Sequence, residues 1–331
     1  MRALLITAVL LALAGLAGAI WGHQMVQRHA DRALNVTTPE VLIVEPGSTV
    51  NGVIAELRAR GMLDDQPWHD WLIRLQPELA RIQAGEFEIA PRDSLRGVLQ
   101  KLVDGEVVQR AWTIVPGLRL AEVLRSLDGL PLERTEGLND QTLASQLGLE
   151  QTSAEGWLLP DTYAFVRGTT DVALLKRAYA AMRSELQATW DGRDEALPYQ
   201  DPYELLIAAS LVEKETGHPD DRDKVSAVFA SRLRIGMRLQ TDPTIIYGLG
   251  DSFDGNLTRA HLRADGPYNT YRNHGLTPTP IAMPGLASLH AAAHPADVDY
   301  LYFVARGDGT SQFSRTLAEH EAAVRRYQLG R

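Results

Sequence analysis

The chain has 331 residues, 45% of them hydrophobic and 23% charged, an ordinary globular balance with material for two or three domains. A net charge of −9 at pH 7 leaves no surplus of Lys and Arg for phosphates and speaks against a nucleic-acid partner. Cysteine is absent, which excludes disulfides, thiol nucleophiles and cysteine metal sites.

Arg2 is followed by an uncharged run, residues 3–20 (ALLITAVLLALAGLAGAI). At 1.5 Å per residue it spans about 27 Å, close to the hydrocarbon thickness of a bilayer, and Trp21 sits where an interfacial aromatic anchors such a helix. Residues 1–22 therefore read as a transmembrane anchor, with residues 3–20 in lipid. Ala17-Gly18-Ala19 also resembles a signal-peptide cleavage site, and either reading exports the rest of the chain. Residues 23–40 are polar and read as a stalk. Val41–Val44 has strand character, and Pro46-Gly47 turns the chain. Ser48 or Thr49 can cap a helix to about Gly61 with Val50, Val53, Ile54 and Leu57 on one face. A second helical segment carries Trp68, Trp71, Leu72 and Leu75. Gly85–Ile89 alternates as a strand does, and Ser94 caps a helix over Leu95–Val103. This β-α-α-β-α block, residues 41–106, resembles a LysM-type module. That likeness implies binding to the N-acetylhexosamine backbone of peptidoglycan or chitin, but a generic small α+β unit has the same order of elements.

Residues 107–331 form the larger region. Val107–Val115 reads as a strand broken by Pro116-Gly117, and Leu118–Leu127 as a helix. Asp128–Ser153 is partly helical, and Glu155–Phe165 is an aromatic-rich loop leading into a strand. Asp171–Leu186 is amphipathic, and Asp221–Ile235 is a helix with Val225, Val228, Phe229 and Leu233 inward. Thr241–Gly248 opens on a turn signal and becomes apolar. The proline-rich run Gly275–Gly285 is expected as a rigid surface loop of the kind that carries substrate contacts. Ser288–Ala293 is a short helix. Tyr300–Ala305 and Gln312–Ser314 flank Gly307-Asp308-Gly309 as a hairpin, and a last helix runs over Thr316–Tyr327.

The stretch Leu205–Gly217 (LLIAASLVEKETG) carries the chemistry. Its helix is apolar on almost every side, so it is buried, and it ends in two carboxylates before Gly217 and Pro219 stop it. Glu213 and Glu215 lie about 200° apart around the helix and point different ways. A carboxylate at a buried helix C-terminus is poorly placed to be charged. Desolvation and the negative end of the helix dipole both raise its pKa, as a general acid at neutral pH requires. The alternative is that one or both glutamates pair with Arg232 or Arg234.

LVEKET, then DKVSAVFASRLRIGMRLQTDPTIIYGLG, YNTY, GLTPTPIAMPG, SLHAAAHP, YLYFVARGDG and FSRTLAEH follow in order. Together with the anchor and the LysM-like block they resemble the endolytic murein transglycosylases, the YceG-like (MltG) family, across essentially the whole chain. The resemblance implies an α+β protein: an N-terminal transmembrane helix, a small LysM-like subdomain and a larger mixed α+β catalytic domain. It implies a single-pass bacterial inner-membrane protein with its body in the periplasm. The implied reaction cleaves the MurNAc-GlcNAc β-1,4 bond inside peptidoglycan glycan strands and leaves 1,6-anhydroMurNAc ends. The resemblance places the essential glutamate in the E-K-E triplet and carries it onto Glu215, with Glu213 the alternative; Glu215-Thr216 is similar to the Glu-Ser pair of other lytic transglycosylases. Penicillin-binding proteins or elongation-complex synthases are the implied protein partners.

A lytic transglycosylase needs one carboxyl group, where an ordinary glycosidase needs two. Gln240, Thr241 and Asp242 are candidates to bind sugar or position the glutamate, Asp242 equally a turn cap. Tyr268, Asn269, Thr270 and Tyr271 are candidates to hold N-acetyl groups and the transition state, or to be ordinary packing. Glu155 is a candidate supporting residue. His294 and His320 lack metal-ligand spacing and read as structural histidines, and no phosphate loop or dinucleotide pattern appears, so neither metal nor cofactor is expected. Two rival readings stand: a muramidase-type hydrolase using Asp242 as a second acid, and a non-catalytic peptidoglycan-binding scaffold for wall synthases.

Overall fold

The computed structural model describes residues 2–215 and 217–330; Thr216, named above beside Glu215, lies outside them. The chain is mixed α+β and divides into two units, Met1–Arg110 with Ala164–Arg167, and Ala111–Tyr163 with Gly168–Arg331.

The first unit contains α1 (Arg2–Ala30), β1 (Glu40–Val44), α2 (Val50–Ala59), α3 (Trp68–Leu75), β2 (Gly85–Ile89) and α4 (Leu95–Asp104). The order β1-α2-α3-β2-α4 matches the expected one. The caps form as well: Gly52 N–H donates to Thr49 Oγ1 and Gly97 N–H to Ser94 Oγ. Strands β1 and β2 are antiparallel, with Leu42 opposite Phe87, and Leu42, Phe87 and Ile89 pack on Ile54, Leu57, Leu99 and Leu102. Among the described residues α1 is the one helix long and apolar enough to cross a membrane. The stalk expected over 23–40 is different in kind. Helix α1 continues unbroken to Ala30, and Val26, Ala30, Leu34 and Val36 are buried in the unit's core. The apolar residues at i and i+4 in a polar stretch had marked a packed helix face.

The chain changes unit along β3 (Arg110–Thr113) and β4 (Thr162–Phe165), which pair with each other. The second unit contains α5 (Leu120–Ser126), α6 (Asp140–Leu147), α7 (Asp171–Asp191), α8 (Pro202–Glu215), α9 (Pro219–Arg234), α10 (Asp242–Leu249), α11 (Arg259–Arg263) and α12 (Leu286–Ala293). It ends in a hairpin of β5 (Tyr302–Ala305) and β6 (Ser311–Ser314), then α13 (Leu317–Tyr327). Helix α8 is its axis. Every residue from Leu205 to Val212 is buried. Leu205, Leu206, Ala208 and Ala209 pack on Met182 and Leu186 of α7 and on Leu289 and Ala292 of α12. Leu211 and Val212 pack on Val225, Val228 and Phe229 of α9. At about 25 cal/mol per Å² of apolar area removed from water, burial of this sheath stabilises the unit.

The proline-rich run is not the surface loop expected. Pro280 through Gly285 are buried, and the Ile281 N–H donates to Ser210 Oγ on α8 at 3.0 Å. Its prolines spare the core unpaired backbone N–H groups while Ile281, Ala282 and Met283 supply apolar filling.

Candidate active site

Helix α8 ends among loops that the sequence scatters widely. Gly117, at φ +82°, turns the chain so that its N–H reaches Met283 O at 2.8 Å, and Met283 N–H returns to Leu118 O at 2.8 Å. The two carboxylates at the helix end meet different surroundings, as their 200° separation requires.

Glu213 faces the start of α12. Its Oε2 accepts from Gly285 N–H at 3.0 Å and from Ser288 Oγ at 2.7 Å. The carboxylate thus occupies the positive end of α12 and satisfies two donors there. Lys214 donates to Gly117 O at 3.1 Å.

Glu215 faces the other way, into an open cleft of about 580 Å³. Thr241 Oγ1 donates to Glu215 Oε1. Burial pushes the Glu215 carboxyl up from its ordinary value, helped by the negative charge of Asp242 and opposed by the Thr241 hydroxyl and the Arg232 guanidinium. Among the described residues neither glutamate forms an ion pair. Arg232 is buried in the cleft wall instead, its Nε donating to Leu301 O at 2.7 Å and its Nη1 to Leu239 O.

Thr241 is held from below. Its N–H donates to Thr270 Oγ1 at 3.1 Å, Thr244 Oγ1 donates to Thr241 O at 2.7 Å, and the Thr244 and Thr270 hydroxyls are 2.9 Å apart. Gln240, exposed at the rim, adopts the left-handed conformation at φ +51°, with its N–H on Thr270 O. A non-glycine residue held there signals a constrained turn and is common at functional sites. Asp242 begins α10, and its Oδ1 accepts from Tyr271 Oη at 2.7 Å, so Asp242 is paired on the cleft floor as well as sitting at a helix start.

Glu215, Gln240, Asp242 and Tyr271 line one cleft, and Thr241 and Thr270 brace it from within. Three other candidates take their partners elsewhere. Asn269 spends its side-chain N–H groups on the carbonyls of His261, Leu262 and Ala264, and its Oδ1 accepts from Tyr271 N–H, locking the turn that presents Tyr271. Tyr268 packs edge-on to Tyr247 at 4.9 Å and pairs with the Thr279 hydroxyl at 2.9 Å. Glu155 is 4% exposed and accepts from Leu120 N–H at 2.9 Å and from Tyr247 Oη at 3.1 Å. Burial pushes its carboxyl up to about 8 against those two hydrogen bonds.

The opposite wall was not legible as a site in the sequence. Helix α13 contributes Leu317, His320 and Val324, and its C-cap Gln328 continues the stripe with the spacing i, i+3, i+7, i+11. His320 stacks on Tyr302 of β5 at 5.2 Å and 20°, and the Arg232 guanidinium lies 5.5 Å from that ring. Burial and Arg232 hold His320 below its ordinary pKa, so the imidazole is neutral at pH 7. His320 is therefore a cleft residue, where the sequence had offered a structural histidine. Its signal was only the polar interruption of an apolar stripe. Among the described residues no group of acidic and histidine side chains could hold a metal ion.

The YceG-like family profile matches residues 42–326. The endolytic murein transglycosylase of Bacillus subtilis (strain 168) is 30% identical over 321 residues, covering 91% of this chain and 87% of that protein. The endolytic murein transglycosylase of Streptococcus pneumoniae (strain D39) is 29% identical over 280 residues, 73% of this chain and 50% of that longer protein. A crystal structure of a putative YceG-like protein from Listeria monocytogenes superposes with a TM-score of 0.53 at 26% identity, covering 87% of this chain and 99% of that one. With its profile, its relatives and its fold in agreement, the chain belongs to the YceG-like family.

Proposed function

We propose that the protein is an endolytic murein transglycosylase that cuts the MurNAc-GlcNAc β-1,4 bond within peptidoglycan strands, with Glu215 as its acid and then its base. The observation that carries this reading is the contrast between the two acids of α8. Glu213 is consumed by α12, whereas Glu215 is lifted in pKa and aimed into the cleft.

Glu215, protonated, donates its proton to the glycosidic oxygen as the C1–O bond breaks. The positive charge that develops on the sugar ring faces the carboxylate so formed. That carboxylate then removes the proton from the muramoyl C6 hydroxyl, whose oxygen closes on C1. The 1,6-anhydro ring and a free 4-hydroxyl are the products, no water is consumed, and Glu215 ends protonated as it began. Holding the C6 hydroxyl next to C1 gives an effective molarity of roughly 10⁵ M or more in favourable cases, enough to outrun water. Thr241 fixes the carboxyl by its hydroxyl, and Asp242, held by Tyr271, presents a polar floor to sugar hydroxyls. Leu317, Val324 and the Tyr302 ring offer the apolar surface that a sugar's C–H face needs.

Helix α1 serves as a retained single-pass anchor in the inner membrane with the folded units in the periplasm, and the first unit acts as a LysM-like glycan holder. Glu215→Gln in the full chain, assayed on purified glycan strands, should fold normally and release no anhydro ends. Retained cleavage would overturn the assignment. Product mass separates the hydrolase reading, because a hydrolysed end is one water heavier than an anhydro end. If Glu215→Gln restores every phenotype of a deletion strain, the scaffold reading wins.

A further inference from the structure

We propose that α3 is a second membrane contact, its outer face of Trp68, Trp71 and Leu75 lying in the headgroup layer of the bilayer that α1 enters. The inference rests on reading α1 as a retained anchor and goes beyond it. From Leu4 to Trp21 the helix rises about 26 Å, so a span beginning at Leu4 brings Trp21 to the membrane surface. Trp68 meets Trp21 edge to face, with ring centroids 5.6 Å apart at 87°. Trp68 is therefore at nearly the same depth as Trp21.

On α3, residues 68, 71 and 75 fall within about 60° of one another around the helix. Leu72 and His69 form its buried side. Trp71 is 49% exposed and Leu75 45%, two large apolar side chains outside the unit's own core. The Arg74 guanidinium lies 4.7 Å over the Trp71 ring, setting a cation beside an exposed aromatic, a pairing that suits anionic headgroups. Asp70 is turned off this face and paired with Arg58 at 3.2 Å. The depth is set mechanically, because α1 is unbroken and its Val26 and Ala30 are buried in the core on which Trp68 packs. A tryptophan at the end of the span, a second in edge contact with it and a third exposed on the same face of α3 beside a cation fit a lipid interface.

The absence of native cysteine makes a clean test. The full chain is placed in nanodiscs of phosphatidylcholine with phosphatidylglycerol, carrying one spin-labelled cysteine at a time: Trp71→Cys, Leu75→Cys, Leu11→Cys in the anchor and Ala59→Cys at an exposed position of α2. Power saturation compares oxygen, which concentrates in lipid, with a water-soluble nickel chelate. Labels at 71 and 75 are expected to favour oxygen over nickel several-fold more than the label at 59, and less than the label at 11. If 71 and 75 match 59 while 11 reads as lipid-buried, the proposal is overturned and the anchor stands. Shielding of 71 and 75 from both relaxants would assign the face to a protein partner and equally overturn it. An aqueous reading at 11 would remove the anchor and this inference together.

Discussion

Glu215 shares its proton chemistry with Thr241, and the pH dependence of the reaction follows from that pair. The Thr241 hydroxyl favours the ionised carboxyl, while burial disfavours it. Thr241→Val removes the donor, so Glu215 keeps its proton to higher pH. The alkaline limb of kcat/KM should move to higher pH, with a lower plateau because the carboxyl is less firmly aimed. A limb that stays in place would show that another group governs it. Glu213→Ala acts on a different property. It strands the Gly285 N–H and the Ser288 hydroxyl and should cost about 2–3 kcal/mol in urea unfolding, with activity per folded molecule near that of the parent. The sequence made both acids visible and set them on opposite sides of one helix. It could not say which side held the cleft, because Gly285 and Ser288 lie more than seventy positions downstream.

Helices announced themselves through apolar spacing and caps, so most of the elements were legible. What an element faces was harder to read. Helix α13 was clear as a helix, yet its role as a cleft wall depends on β5 and Tyr302 lying beneath His320. Tyr302→Ala should free His320, take the aromatic face from beside Arg232 and raise KM for glycan about tenfold with a smaller change in kcat, as loss of a stacked platform predicts. An unchanged KM would remove this wall from the substrate path. The proline-rich run misled in the opposite direction, because its polar punctuation hid Ile281, Ala282 and Met283, which fill the core. Gly156 shows how tightly that run is seated. At φ +81°, a Cβ there would lie 2.5 Å from Pro280 Cβ. Gly156→Ala should cost about 2–4 kcal/mol, read as a lower midpoint in urea.

Across the whole molecule, stability is tied to pH by a buried acid away from the cleft as well as by Glu215. Glu155 holds its proton to about 8 in the folded chain, against an ordinary value of 4.5. Between those values the folded state binds more protons than the unfolded one, so stability is greatest below about pH 4.5 on this account and declines as pH rises towards 8. The loss attributable to Glu155 should reach ~4 kcal/mol, an upper figure if the site relaxes, and Glu155→Gln should flatten the profile in thermal melts at pH 5 and pH 8. Parallel profiles for parent and variant would relocate the effect to other groups. The clasp that Glu213 makes on α12 also bears on genetics. Strains carrying Glu213→Ala and Glu215→Gln should both show a wall defect, milder in the first. The first would be short of intact enzyme and the second well stocked with inert enzyme. An immunoblot tells the two causes apart.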